Sequence, residues 1–224
     1  MLAGWVQALC PESCPRCSFE SAQGFCASCR REFLRVPSPC PRCALPMPCA
    51  PCPANSRRWQ LDRIRAPFVY TQPLKQFLLQ LKFSRQRLLG VALGQLLAGE
   101  LAATSFDCDT LAVVPLHRRR LVARSFNQAD EIARPVAARF GLRMLAAELK
   151  RQVDSAPQST LKRGERFRGL EQAFAVDAGI EGLRIAIADD VITTGATVNS
   201  LAAALRAAGA AHVEAVAVAR TIGP

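Results

Sequence analysis

The stretch IAIADDVITTGAT, residues 185–197, runs from four aliphatic residues through two adjacent acids into a Thr- and Gly-rich turn. A short apolar run bounded by a turn reads as a buried strand, here LRIAIA at 183–188. Beyond the turn a helix is expected over 197–208, with Val198, Leu201, Leu205 and Ala208 on one face and Gly209 as its stop. Asp189 and Asp190 are then expected where strand meets turn. An acidic pair there needs hydroxyls or a metal-bound sugar to take up its charge. Thr193, Thr194, Gly195, Ala196 and Thr197 offer three hydroxyls, a glycine for close backbone approach and the free amides of a helix N-terminus. Such a turn is an anion cradle. Acids beside it describe a ligand that carries both a phosphate and a diol.

Working outward, the same alternation of strand and helix recurs. IRAPFVYT (64–71) reads as a strand, and after Pro73 a helical pattern places Leu74, Phe77, Leu78 and Leu81 on one face. A second apolar run spans 88–101, TLAVVP (110–115) is a short buried strand, and a helix follows with Ile132, Val136 and Phe140 at four-residue steps. Pro135 is expected to kink that helix. HVEAVAVA (212–219) closes as a strand. The pattern is α/β: a mostly parallel sheet flanked by helices, which binds ligands beyond the carboxyl ends of its strands. The chain contains no G-x-x-x-x-G-K-[ST] loop, so a Walker-type site is excluded. Only 35 residues follow Asp189, too few for a receiver domain built around the same acids.

Nine of the ten cysteines and nine of the fifteen prolines precede residue 56. The composition shift marks a boundary, with a small module over 1–56 and the α/β unit over 57–224. Within the module four C-x-x-C pairs occur: Cys14/Cys17, Cys26/Cys29, Cys40/Cys43 and Cys49/Cys52. Each knuckle supplies two thiolates from one tight turn, so four make two tetrahedral zinc sites with no open position for water. Neighbouring knuckles can pair, as two ribbons in series, or the first can pair with the third in a cross-brace; spacing does not choose. Zn²⁺ is thus expected as a structural ion, and a segment this poor in aliphatic residues draws its stability from it. Trp5, Phe19, Phe25 and Phe33 are read as the module's own small core, and Cys10 as a leftover thiol.

The formal net charge is +11, which points to an anionic partner, whether nucleic acid or a phosphorylated metabolite. Half of the residues are hydrophobic, which excludes a disordered chain. The opening decapeptide lacks a basic n-region, and no stretch of about 18 uncharged apolar residues occurs. With the reducing compartment that paired cysteines suggest, a cytoplasmic location without membrane insertion is expected.

VVPLHRRRLVARSFNQADEIA (113–133), together with the cysteine knuckles and IAIADDVITTGAT, resembles the ComF family of competence and GntX-like proteins. More broadly, residues 185–197 are similar to the phosphoribosyl pyrophosphate loop of type I phosphoribosyltransferases. The resemblance implies a phosphoribosyltransferase-like sheet behind a double zinc ribbon, with Asp189 and Asp190 on the ribose hydroxyls and residues 193–197 around the 5′-phosphate. It also implies that the turn after the 110–115 strand meets pyrophosphate, so that Arg118, Arg119, Arg120 or Arg124 neutralises it. Mg²⁺ would arrive on the substrate's own oxygens. Ser125 departs from the family's Gly-Phe-Asn-Gln; with Gln128 it can form a capping box. The polar run 154–160, flanked by basic residues, sits where this class carries a lid, and Gly169 departs from the family's Asn. Three activities stay open: transfer of the phosphoribosyl group, sensing of phosphoribosyl pyrophosphate without chemistry, or an adaptor role in DNA uptake with single-stranded DNA or machinery proteins as partners.

Overall fold

Strands apolar on both faces belong inside a parallel sheet covered by helices, and RIAIADDVI and HVEAVAVAR are such runs. In the computed structural model, which describes residues 13–83, 86–116, 126–145, 149–151, 174–176 and 179–222, they form its centre. The strands of this sheet are β1 (Arg63–Arg65), β2 (Phe68–Val69), β3 (Thr110–Val113), β4 (Arg143–Leu145), β7 (Arg184–Ile192) and β8 (His212–Arg220). Their order is β1–β8–β7–β3–β4, with β2 also on β8, and every described pair is parallel. β5 (Leu149–Arg151) and β6 (Phe174–Val176) form a separate antiparallel ribbon. The single strand expected over 64–71 is two, because Ala66-Pro67 interrupts it and proline has no amide to give to the ladder.

After the short helix α1 (Ala27–Arg31), helices α2 (Leu74–Phe83), α3 (Arg87–Ala102) and α4 (Gln128–Phe140) share one core with Leu111, Val113, Ala186, Ala188, Val216 and Val218. On the other face α5 (Ala196–Ala207) shares a core with Ala112, Ile185, Ile187, Ala215 and Ala217. The strict alternation of strand side chains explains the division. α5 ends as expected, with Gly209 at φ +96°. Pro135 lies inside α4, which continues to Phe140. No described helix is long and apolar enough to cross a membrane.

One local expectation is corrected. The N-cap of α4 is Asn127, whose side chain accepts from the Ala129 amide and donates through Nδ2 to the Val114 carbonyl, 2.9 Å away. Gln128 is therefore the first helical residue, not the third of a capping box; Ser125 lies outside the described residues.

The aromatic residues of the cysteine-rich segment do not make a core of their own. Phe25 and Phe33 are buried in the α2–α3 core, with ring centroids 5.0 Å apart and Phe25 5.0 Å from Phe77. Phe33 also meets Phe68 at 5.9 Å. The rings stack edge to face, a favoured aromatic geometry. Phe19 is exposed, and Trp5 lies outside the described residues. Burying two phenylalanines against an existing core gains more than a handful of residues could offer them alone.

Candidate functional site

At the carboxyl edge of the sheet the chain reverses direction between β3 and β7, since β4 lies outside β3 and β8 lies on the far side of β7. Such switch points leave a crevice. β3 pairs with β7 only as far as Val113 and Ala188, and the Val114 amide adds one bond to the Ala188 carbonyl. β7 itself runs on to Ile192, so Asp189 and Asp190 lie within the strand and not after it. The strand is longer than expected because β8 continues to pair with it as far as Ile192 and Arg220. Past the end of β3, two amides are taken by the acids themselves. The Asp190 amide donates to Asp189 Oδ1 at 2.9 Å, and the Val191 amide to Asp190 Oδ1 at 2.8 Å.

The two carboxyls interact with each other, yet each also has its own neighbours. Asp190 has the parity of Ala186 and Ala188 and faces the α2 side, where Lys82 Nζ stands 2.6 Å from its Oδ2. Lys82 escaped sequence reasoning because the apolar face of α2 drew attention to its neighbours; its place one residue after buried Leu81 is the only signal it offers. Asp189 has the parity of Ile185 and Ile187. It lines a small pocket with Thr193, Gly195, Ala196 and Thr197 at the N-terminus of α5. Burial pushes its acid group up to about 8, the neighbouring Asp190 carboxyl adds to the rise, and the Asp190 amide and Lys82 oppose it.

The turn is open on one side and tied on the other. Thr193 and Thr194 are exposed, and Thr194 Oγ1 accepts from the Ala196 amide at 3.2 Å. Gly195 has φ +82°, and a Cβ there would stand 3.3 Å from the Trp59 ring, so both backbone and space call for glycine. Arg220, 1 % exposed, donates from Nη1 to the Ile192 carbonyl at 2.9 Å and to the Thr193 carbonyl. In a trans peptide the carbonyl and the next amide point opposite ways. With those two carbonyls held inward by Arg220, the amides of Thr193 and Thr194 are turned away from it. First-turn amides of a helix add further free donors. The turn is thus arranged to receive an anion.

Neighbouring knuckles pair. Cys14, Cys17, Cys26 and Cys29 form one quartet and Cys40, Cys43, Cys49 and Cys52 the other, with the sulfurs of each within 4.8 Å of one another. Individual separations of 3.6 Å (Cys17–Cys26), 3.8 Å (Cys43–Cys49) and 3.6 Å (Cys43–Cys52) agree with the roughly 3.8 Å edge of a tetrahedron of Zn–S bonds. Each quartet can therefore hold one metal ion, and its donors are those that suit zinc. The leading knuckles repeat one turn: the Ser18 amide donates to the Cys14 carbonyl and the Ala44 amide to the Cys40 carbonyl, with positive φ at both Ser18 and Ala44. Burial pushes the Cys14 thiol up, but backbone groups of Cys26, Arg16 and Cys17 outweigh it and bring the group down to about 6. Arg118, Arg119, Arg120, Arg124, His117 and the 154–160 lid lie outside the described residues, as does Gly169.

No family model matches the chain. It is 34 % identical over 209 residues to a Salmonella typhi protein named DNA utilization protein YhgH, covering 89 % of this chain and 91 % of that one. It is 28 % identical over 194 residues to Competence protein ComFC of Streptococcus pneumoniae, covering 84 % of each. Among solved structures, a purine phosphoribosyltransferase from Pyrococcus horikoshii aligns over 59 % of this chain and 83 % of its own, at 14 % identity and a TM-score of 0.36.

Proposed function

The chain belongs to the family of YhgH DNA-utilization and ComF competence proteins, and from that premise we propose that it binds phosphoribosyl pyrophosphate at the β7–α5 junction. Residues 57–224 act as the ligand-binding unit and residues 1–56 as a module held by two structural Zn²⁺ ions. Asp189, and Asp190 braced by Lys82, take the ribose hydroxyls. Thr193, Thr194, Gly195, Ala196 and Thr197 take the 5′-phosphate, and Arg118, Arg119 or Arg124 the pyrophosphate. The observation that carries the reading is the pocket itself, in which Asp189 meets the outward-facing turn. Burial and the Asp190 carboxyl hold the Asp189 proton up to about 8 despite the opposing charge of Lys82, so the group is short of counter-charge. Ribose hydroxyls, or a cation arriving with them, would supply it.

In catalysis this arrangement would fix the ribosyl carbon for attack and hold the departing charge in place, which is mainly positioning and electrostatic stabilisation. Mg²⁺ on the substrate's oxygens supplies charge neutralisation at the leaving group. We propose a cytoplasmic setting; the relatives' names support a part in DNA utilisation or competence. Incubation with Mg²⁺ and phosphoribosyl pyrophosphate, with and without nucleobases or nucleic acid, tests it. Pyrophosphate release marks a transferase, saturable binding without release marks a sensor, and no binding removes the reading.

A second reading, direct contact with single-stranded DNA, is favoured by the net charge of +11. Affinity that falls steeply between low and moderate salt supports it. Affinity indifferent to salt removes it.

A further inference from the structure

The Thr-rich turn has a back as well as a front, and the back is the second cysteine quartet. Arg220 is the last residue of β8, buried between the two. Besides the Ile192 and Thr193 carbonyls, it donates from Nε to the carbonyl of Cys43 at 3.0 Å. One guanidinium therefore spans a quartet ligand and the first residues of the turn.

A second bridge runs beside it. The 3₁₀ turn Pro53–Asn55 follows Cys52 and leads towards Trp59, which packs against the cluster of Cys40, Cys43 and Ala54 and also meets Gly195. Asn199, in α5, fixes the backbone on both sides of this tryptophan. Its Nδ2 donates to the Arg58 carbonyl at 2.9 Å, and its Oδ1 accepts from the Gln60 amide at 2.7 Å. Arg220 and Trp59 thus join one quartet to one turn, and Asn199 holds the backbone around Trp59.

We propose that Arg220 and Trp59 are positioning residues that couple the second quartet to the anion-binding turn, so that the loaded quartet and an anion at residues 193–197 each strengthen the binding of the other. The electrostatic reason lies in Arg220. Its charge is buried among carbonyls and is costly without a negative neighbour. Four thiolates around one divalent ion carry net negative charge, whereas four thiols carry none. Loading the quartet therefore holds Arg220 in place, and Arg220 holds the two carbonyls whose inward turn aims the following amides outward. Reciprocity follows from linkage, and couplings of this kind commonly amount to roughly 5- to 150-fold in affinity.

The inference rests on reading residues 193–197 as a phosphate cradle. One experiment separates failure of the two ideas. In the full-length chain, Cys49→Ser opens the second quartet, Cys17→Ser opens the first, and Arg220→Lys cuts the bridge while leaving all eight thiols. Native mass spectrometry counts bound zinc, hydrogen exchange reads the amides of residues 193–197 with β3 as the folding control, and calorimetry gives the affinity for phosphoribosyl pyrophosphate.

Cys49→Ser is expected to speed exchange in the turn and to weaken ligand binding, each roughly tenfold. Arg220→Lys should do the same with two zinc ions still bound, because an ammonium point charge does not reach three carbonyls as a guanidinium fork does. Cys17→Ser should leave the turn within about twofold of the parent, a margin smaller than any such coupling. In the parent, phosphoribosyl pyrophosphate should slow zinc loss to a chelator from one site only. The coupling is overturned if Cys49→Ser and Cys17→Ser affect the turn alike, or if Arg220→Lys leaves turn exchange unchanged. If a variant unfolds, as β3 exchange would show, Arg220→Lys alone decides. If no form binds the ligand, the proposed function fails, while exchange in the turn still decides the coupling.

Discussion

The two cysteine quartets use the same C-x-x-C chemistry and the same leading turn, yet they rest on the rest of the molecule in opposite ways. The first is attached through hydrocarbon. Phe25 and Phe33 enter the α2–α3 core, and Gly24 lies so close to α3 that a Cβ there would stand 2.6 Å from the Ala92 carbonyl oxygen. The second is attached through a buried polar bond from Arg220 and through Trp59, whose flanking backbone Asn199 holds. Apolar attachment is insensitive to small displacement and serves stability. A guanidinium shared among three carbonyls demands one geometry, and it ends at the candidate site.

That difference can be broken in order of expected effect. Phe33→Ala should cost about 3–5 kcal/mol, the range for a buried aromatic truncated to alanine. Chemical denaturation would read it, and ligand affinity of the folded fraction should hold. Arg220→Met should cost about 2–4 kcal/mol: the Cys43 and Thr193 carbonyls lose a donor at about 1–3 kcal/mol each, while the Ile192 carbonyl keeps the Thr221 amide and removal of a costly buried charge offsets part of the loss. Ligand affinity should also fall. If Phe33→Ala weakens binding as much as Arg220→Met does, the contrast between the attachments is wrong.

Asp189→Asn should act on the pH profile of stability. The native Asp189 group holds its proton up to about 8 whereas the unfolded one loses it near 3.8. Between those values the folded state binds more protons, so stability falls as pH rises, by at most about 1.4 kcal/mol per pH unit. Melting temperatures of the ligand-free protein from pH 4 to 8 should decline in the parent and flatten in the variant. Arg35→Gln should do least. It removes a bidentate pair to Glu100, both bonds 2.7 Å, on the side of the first quartet. The arginine side chain is 62 % exposed, so the loss should be about 0.5 kcal/mol in the same denaturation assay.

Much of this architecture was legible because it depends on periodicity. The runs 183–188 and 212–219 gave the central strands, 74–81 and 197–208 gave helix faces, and the four knuckles gave the metal quartets. Spacing could not decide how the knuckles pair, since both schemes leave the same number of thiols per ion. That Asp189 and Asp190 lie inside a strand was hidden, because Asp and Gly are poor strand formers and the run from Thr193 to Gly195 reads as a turn. Only pairing with β8 reveals it. Arg220 and Lys82 could not be found by pattern: each is one basic residue among 29, and its meaning comes from chain segments more than a hundred residues away.

The central claim is that the β7–α5 junction is a phosphoribosyl pyrophosphate site, and calorimetric titration of the zinc-loaded chain with that ligand and Mg²⁺ tests it most directly. A single saturable site is predicted, lost in Asp189→Asn and in a Thr194→Asp variant that sets a carboxylate in the anion cradle. No heat of binding in the folded parent, or binding that survives both substitutions unchanged, would contradict the account.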